Sequence, residues 1–253
     1  MQLQEYLDAL AYETAFWAAG LDNANYPINQ FGALSEDVSE KLRTMAIGVL
    51  LVEADTDLFY HNLIRSARAR ETFLLRCRDQ DFKDFHLAVS RSAAFFDALA
   101  ASDFDLALRI SQLSPREWVP EGEYEDDYCF TQFFHLIIQH ETQPEDIAAL
   151  LRQFEKALQG AGNPKLELCR ALTVRDQLAF DKTFDEYIAD HDEHLREDAG
   201  RMEDTHVVAE RQLFVEGLGV LRVAERLGLR TQPEYKYCPA LARLPMTVPF
   251  PGK

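Results

Sequence analysis

Positive charge, paired cysteines, long apolar runs and catalytic signatures are all scarce in this chain. Its four cysteines, Cys77, Cys129, Cys169 and Cys238, are widely spaced and form no Cys-x-x-Cys pair. That speaks against a disulfide scaffold or a zinc ribbon and suits a reducing cytosol. The longest strongly apolar run, residues 45–52, is far short of the ~20 residues a membrane helix needs. The first turns hold Glu5, Asp8 and Glu13, with no basic start and no apolar stretch of signal-peptide type. Lys and Arg number 26 against 43 Asp and Glu, a formal charge of −17, which disfavours nucleic acid or anionic lipid as a direct ligand. No Gly-x-Ser-x-Gly, Walker loop or His-Glu-x-x-His occurs, and Gly217-Leu218-Gly219 lacks the third glycine and the preceding strand of a dinucleotide site. A soluble cytoplasmic protein with no cofactor is expected.

What is present is helical. Of the 253 residues 47% are hydrophobic and seventeen are Phe, enough to rule out disorder and to fill a sizeable core. Leu3, Tyr6, Leu7, Leu10 and Ala11 follow the i, i+3, i+4, i+7 rule, and the stripe continues through Thr14, Trp17 and Ala18. Asn23, Asn25, Pro27 and Gly32 break it. Further helices are expected from about residues 37 to 53, 58 to 77, 82 to 100 and 207 to 227. No segment alternates with period two for long, so strands are not expected.

One pattern recurs. Phe95, Leu99 and Asp103 are spaced by four, as are Leu168, Leu172 and Asp176, and a new amphipathic helix follows each: Leu106, Ile110, Leu113 and Phe180, Phe184, Ile188. The acid falls where an N-cap would accept orphan amides. Thr142, Pro144 and Glu145 read as a capping-box start. Gly217 and Gly219 interrupt a strong helix at about 1 kcal/mol each, so close contact with a neighbouring helix is expected there. Beyond Gly228, Pro233, Pro239, Pro245, Pro249 and Pro251 forbid a long helix, leaving an extended tail that Tyr235, Tyr237, Leu241 and Leu244 would anchor. The expected fold is all-α, an irregular stack of antiparallel hairpins with about 9–11 helices. It is expected to form a single domain over 1–253: N-terminal helix and loop 1–32, hairpin core 33–229, tail 230–253.

Acid is concentrated in two places. Glu121, Glu123, Glu125, Asp126 and Asp127 occur with no base among them, beside Tyr124. Ten acids between Asp181 and Asp204, including Asp190, Asp192 and Glu193, face only Lys182, Arg196 and Arg201. Concentrated charge without accompanying catalytic residues points to docking of a basic partner. Glu121, Glu123, Tyr124, Glu125, Asp126, Asp127, Asp190, Asp192 and Glu193 are therefore the expected partner-binding residues.

Other clusters read less sharply. His191 and His194 sit three apart and could share a helix face, but structural zinc wants further Cys or His ligands, so no metal is expected. Arg65, Arg68, Arg70, Arg76 and Arg78 lack the interleaved aromatics of a single-strand binder and are expected to pair with acids of the chain itself. His135, in an apolar run that His140 closes, reads as a hydrogen-bonded core histidine, and Cys129 lies too far from it for a local Cys–His pair. No catalytic residue is expected.

The block Phe95-Phe96-Asp97-Ala98-Leu99-Ala100-Ala101-Ser102-Asp103, continuing to Leu113-Ser114-Pro115, is similar to the bacterial immunity protein 49 family. So are the acidic–aromatic stretch 124–134, the segment Cys169-Arg170-Ala171-Leu172 to Asp176, the ending Arg226-Leu227-Gly228-Leu229 and the tail from Cys238-Pro239-Ala240-Leu241. The resemblance covers roughly residues 34–244. It implies an antidote to a secreted polymorphic toxin, a nuclease or another basic enzyme, which it would neutralise by occlusion and without chemistry of its own. The competing readings are a helical-repeat scaffold for a peptide or protein partner and a metal-dependent enzyme built on His191 and His194.

Overall fold

The computed structural model describes residues 3–139, 141–197, 209 and 211–251; His140 and the expected helix positions 207, 208 and 210 lie outside them. Among the described residues the protein is all-α, with ten α-helices and no strand. These are α1 (Leu3–Leu21), α2 (Ile28–Glu53), α3 (Thr56–Asp79), α4 (Ala93–Ala100), α5 (Phe104–Leu113), α6 (Glu125–Ile137), α7 (Pro144–Ala157), α8 (Pro164–Val174), α9 (Gln177–Glu197) and α10 (Val215–Arg226). Successive helices pack as hairpins, α1 on α2, α2 on α3, α6 on α7 and α8 on α9, while α10 returns to lie against α4. One contiguous core results, from Phe31 in α2 to Ala242 in the tail.

The recurrent Asp positions do what their spacing predicts. Asp103 Oδ1 accepts from Leu106 N at 3.0 Å, and Asp176 Oδ1 from Leu178 N and Ala179 N at 3.0 and 3.1 Å. The preceding helices end alike. Asp103 N donates to Ala98 O and Ser102 N to Leu99 O, as Asp176 N does to Ala171 O and Arg175 N to Leu172 O. These are paired Schellman closures, in which Ser102 (φ 60°) and Arg175 (φ 55°) take the left-handed position usually given to Gly. Each hairpin corner is thus one continuous hydrogen-bonded device, with a C-cap and the next N-cap in adjacent residues.

Gly219 meets its expected neighbour. A Cβ there would stand 3.1 Å from Phe96 O and 3.2 Å from Leu99 Cβ, so the absent side chain lets α10 touch the α4 backbone. Gly217 makes room for the Phe214 ring, which a Cβ would approach to 2.6 Å.

Several expectations are corrected. α2 begins at Ile28, because Gly32 is no breaker: it lies inside the helix, and the His86 ring occupies the space its side chain would fill. The helix expected over 82–100 is a 3-10 turn, Phe85–Leu87, followed by the short α4. The carbonyls of His86, Leu87 and Ala88 turn toward the Arg70 guanidinium, which donates to all three and holds this segment outside a regular α-helix. Thr142 does not cap α7, whose N-cap is Gln143; its hydroxyl donates to Leu136 O, closing α6 instead. The last long helix starts at Val215, because Phe214 N donates to Tyr237 O.

Residues 230–251 contain no α-helix. Tyr235 is buried edge-on against Phe184, with centroids 4.9 Å apart. Leu244 does not anchor through its side chain, which is half exposed; its carbonyl lies 2.6 Å from the Tyr60 hydroxyl. Further on, Asp57 accepts from Thr247 N at 2.6 Å and Val248 N at 3.1 Å. The Arg68 guanidinium lies 4.5 Å over the Phe250 ring.

The arginine segment also departs from expectation. Arg70 and Arg76 are satisfied by backbone carbonyls, and Arg65 and Arg68 lie over Phe250. Of the five, only Arg78 meets a carboxylate among the described residues, that of Asp79.

His135 sits in the core, 4.5 Å edge-on from Phe95. Its Nδ1 has no hydrogen-bond partner among the described residues. Burial, assisted by Arg70, pushes its pKa from 6.5 down to about 3. Between those values the unfolded chain binds a proton that the folded chain refuses. Stability should therefore fall with acidity by about 1.4 kcal/mol per pH unit from this group. Denaturant titrations at pH 7 and pH 5 check this: His135→Phe should lose that part of the slope, and an unchanged slope would refute the assignment.

Candidate functional site

The first acidic segment folds into a loop and the opening turn of α6. The Tyr128 hydroxyl donates to Arg116 O at 2.6 Å and Trp118 Nε1 to Glu123 O at 3.1 Å, tying the loop to the helix behind it. Glu123 turns inward, where its Oε2 accepts from Ser90 N at 2.7 Å. Glu125, Asp126 and Asp127 stand in the first turn, where the helix dipole favours carboxylates. Glu125 accepts from Gln153 Nε2 at 3.0 Å, and Asp127 lies 3.4 Å from Lys165 Nζ. Glu121 is exposed and Tyr124 is 79% exposed. Under this loop an apolar recess of about 770 Å³ opens between Phe85, Leu87 and Ala88 on one side and Pro115, Val119 and Glu121 on the other.

The second segment lies on α9. Asp192 is an internal anchor: its Oδ1 accepts from Lys236 Nζ at 2.7 Å and from the Tyr237 hydroxyl at 2.5 Å, and Arg196 pairs with its Oδ2. The bonds from Lys236 and Tyr237 hold its carboxyl down to about 2. Asp192 therefore fastens the tail to α9. Glu193 is exposed on the same helix.

Lys165, in the first turn of α8, joins the two segments. Burial opposes its charge, but the carboxylates of Glu216, Asp127 and Asp190 outweigh that and hold the ammonium above its ordinary pKa. A cleft of about 250 Å³ opens here, lined by Lys165, Asp190, His191, His194 and Glu216, with the Arg43–Asp97 pair also in its wall. The Tyr187 hydroxyl donates to Glu216 Oε1. Lys165, Tyr187 and Glu216 were not legible as site residues in the sequence, because each is an isolated residue whose partners are distant along the chain.

The structure thus sorts the nine expected residues. Glu123 and Asp192 are committed to holding the fold together. Glu125, Asp127 and Asp190 are shared with polar neighbours. Glu121, Asp126 and Glu193 have no ion-pair or hydrogen-bond partner among the described residues, and Tyr124 offers its ring to solvent.

The groups that could carry chemistry are differently placed. The Cys129 thiol is fully buried, and burial with the acids at 125, 126 and 123 pushes it up to about 12, far from a thiolate nucleophile. His191 stacks on Phe214 at 3.8 Å, whereas His194 Nδ1 donates to Asp190 O at 2.8 Å. Among the described residues no group of three His, Cys, Asp or Glu could hold a metal ion.

An all-α hairpin stack with its cysteines buried agrees with what comparison with known families shows, namely the class of immunity proteins. The family model described as Immunity protein 49 matches residues 8–242, and the chain belongs to that family. Neither a curated protein nor a solved structure gives a match.

Proposed function

We propose that the protein binds a cognate bacterial toxin in the cytoplasm of the producing cell and neutralises it by occlusion, performing no reaction itself. The observation that carries this reading is the family match over nearly the whole chain. The charge supports a basic toxin, a nuclease or an enzyme of similar charge: with −17 overall, the protein speeds encounter with a positive surface and can occupy an anion-binding cleft. Glu121, Asp126 and Glu193 are the carboxylates best placed to meet such a surface. Among the described residues they have no ion-pair or hydrogen-bond partner to give up, so the cost of binding them is chiefly their own desolvation. The apolar recess beside Glu121 and the exposed Tyr124 add the aromatic and apolar component that interface cores require.

The triple variant Glu121→Lys, Asp126→Lys and Glu193→Lys tests this. The variant should stay folded, losing about 1 kcal/mol or less because Lys replaces Asp126 in the first turn of α6, with no bond lost among the described residues. Its association with the toxin encoded by the neighbouring gene should slow by about 10-fold or more at low salt, and cells co-expressing the toxin should lose protection. Unchanged association and full protection would overturn the acidic-contact reading. Asp192→Lys is unsuitable for this purpose, because it also unfastens the tail.

A further inference from the structure

α1 presents two apolar faces, and the body of the protein covers one. Leu7, Leu10 and Thr14 are buried against α2, where Leu7 fills the space beside Gly48. On the far side Tyr12 is 79% exposed and Phe16 is 66% exposed, and Trp17 stands edge-to-face against Phe16 with centroids 5.2 Å apart. Ala9, Tyr12, Phe16 and Ala19 follow one another at helical spacing, and all four are exposed. Residue Trp17, which the sequence stripe assigns to the core, sits at the edge of this outer face. A helix apolar on opposite sides is a helix with a second surface still to cover.

The charges around the stripe select what covers it. α1 itself carries three acids, Glu5, Asp8 and Glu13, and no Lys or Arg. A second copy docked symmetrically on this face would bring acid against acid with no base from either α1. Amphipathic helices that lie on anionic membranes carry Lys and Arg on the polar side, and α1 has neither. A protein with an apolar centre and a Lys- or Arg-rich rim complements it in both respects. Tyr and Trp are also the residues that most often dominate binding energy at such contacts.

We propose that the outer face of α1 is the anchoring surface for the basic toxin, with Tyr12 and Phe16 at its centre. The inference rests on the toxin-binding reading above. It assigns dissociation to α1, while the acids at 121, 126 and 193 govern encounter.

The experiment compares wild type with Tyr12→Ala/Phe16→Ala by surface plasmon resonance, using the inactivated toxin domain encoded by the neighbouring gene. Both side chains point to solvent, so the melting temperature should not move. Dissociation should quicken by about 30-fold or more, as expected for loss of hot-spot aromatics, with association nearly unchanged. Hydrogen exchange in the complex should show protection across residues 3–21. Wild-type binding that the double variant leaves unaltered, or protection confined to 117–127 and 190–193, overturns the α1 assignment while leaving toxin binding intact. Absence of wild-type binding overturns the toxin reading itself. A dimer in light scattering that Tyr12→Ala/Phe16→Ala dissolves, or wild-type binding to phosphatidylserine vesicles, would name another occupant and overturn the assignment as well.

Discussion

Asp97→Ala is expected to cost about 3–5 kcal/mol of folding stability, the scale for removing one partner of a buried charge pair. Asp97 is fully buried. Its Oδ1 accepts from Arg43 Nε at 2.7 Å, and its Oδ2 from Arg43 Nη2 at 2.8 Å and from the Ser66 hydroxyl at 2.5 Å. The Ser66 carbonyl in turn accepts from the Ser39 hydroxyl at 2.9 Å. One carboxylate therefore ties α2, α3 and α4 together, and its loss removes the bidentate partner of the mostly buried Arg43 guanidinium. The cost arises from the lost buried bonds and from leaving the mostly buried guanidinium without this carboxylate. Arg43→Met/Asp97→Leu, which removes both charges and restores volume, should recover most of the loss. Urea titrations of the parent, the single variant and the pair check this. A single variant within about 1 kcal/mol of the parent would refute the account, since exposed pairs are worth no more than that.

The second large effect is expected one residue earlier. Phe96→Ala should cost about 3–5 kcal/mol, the range for emptying a buried aromatic site. The Phe96 ring lies 5.3 Å from Phe95, 5.2 Å from Phe134 and 6.0 Å from Phe130. The Phe96 carbonyl and ring edge also form the surface that Gly219 approaches. α10 has no side chain at 219 to move into the vacated volume, so the cavity cannot collapse from that side. Phe96→Leu, which keeps much of the volume, should cost clearly less, and equal losses for the two variants would contradict this packing. Melting temperatures of the two variants decide the matter.

What the sequence reveals and what it hides follow from the range of the forces involved. The Asp103 and Asp176 corners were legible because a cap is a contact among residues a few positions apart. Gly219 was legible as a close approach to another helix because glycines in a strong helix need compensation, whereas Gly217 makes room not for a neighbouring helix but for Phe214 of its own N-cap and for Cys238 of the tail. Gly32 looked like a breaker from the same rule, yet its neighbour His86 lies far along the chain. The helix expected over 82–100 is interrupted for a similar reason: Arg70, from another helix, binds the carbonyls of 86–88. For the candidate site, the acids were visible as charges but their commitments were not. Asp192 meets Lys236 and Tyr237 from 44 and 45 residues away, and Asp127 meets Lys165 across 38. The structure thus separates acids engaged within the protein from acids with no partner among the described residues, a distinction that composition does not carry.

The central claim is that this protein silences another protein by binding it. The most direct measurement adds the purified protein, at low salt, to the active toxin domain encoded by the neighbouring gene and follows the toxin's activity. The account predicts inhibition that is complete at a fixed molar ratio and weakens as salt is raised. Undiminished toxin activity in the presence of excess folded protein would contradict it.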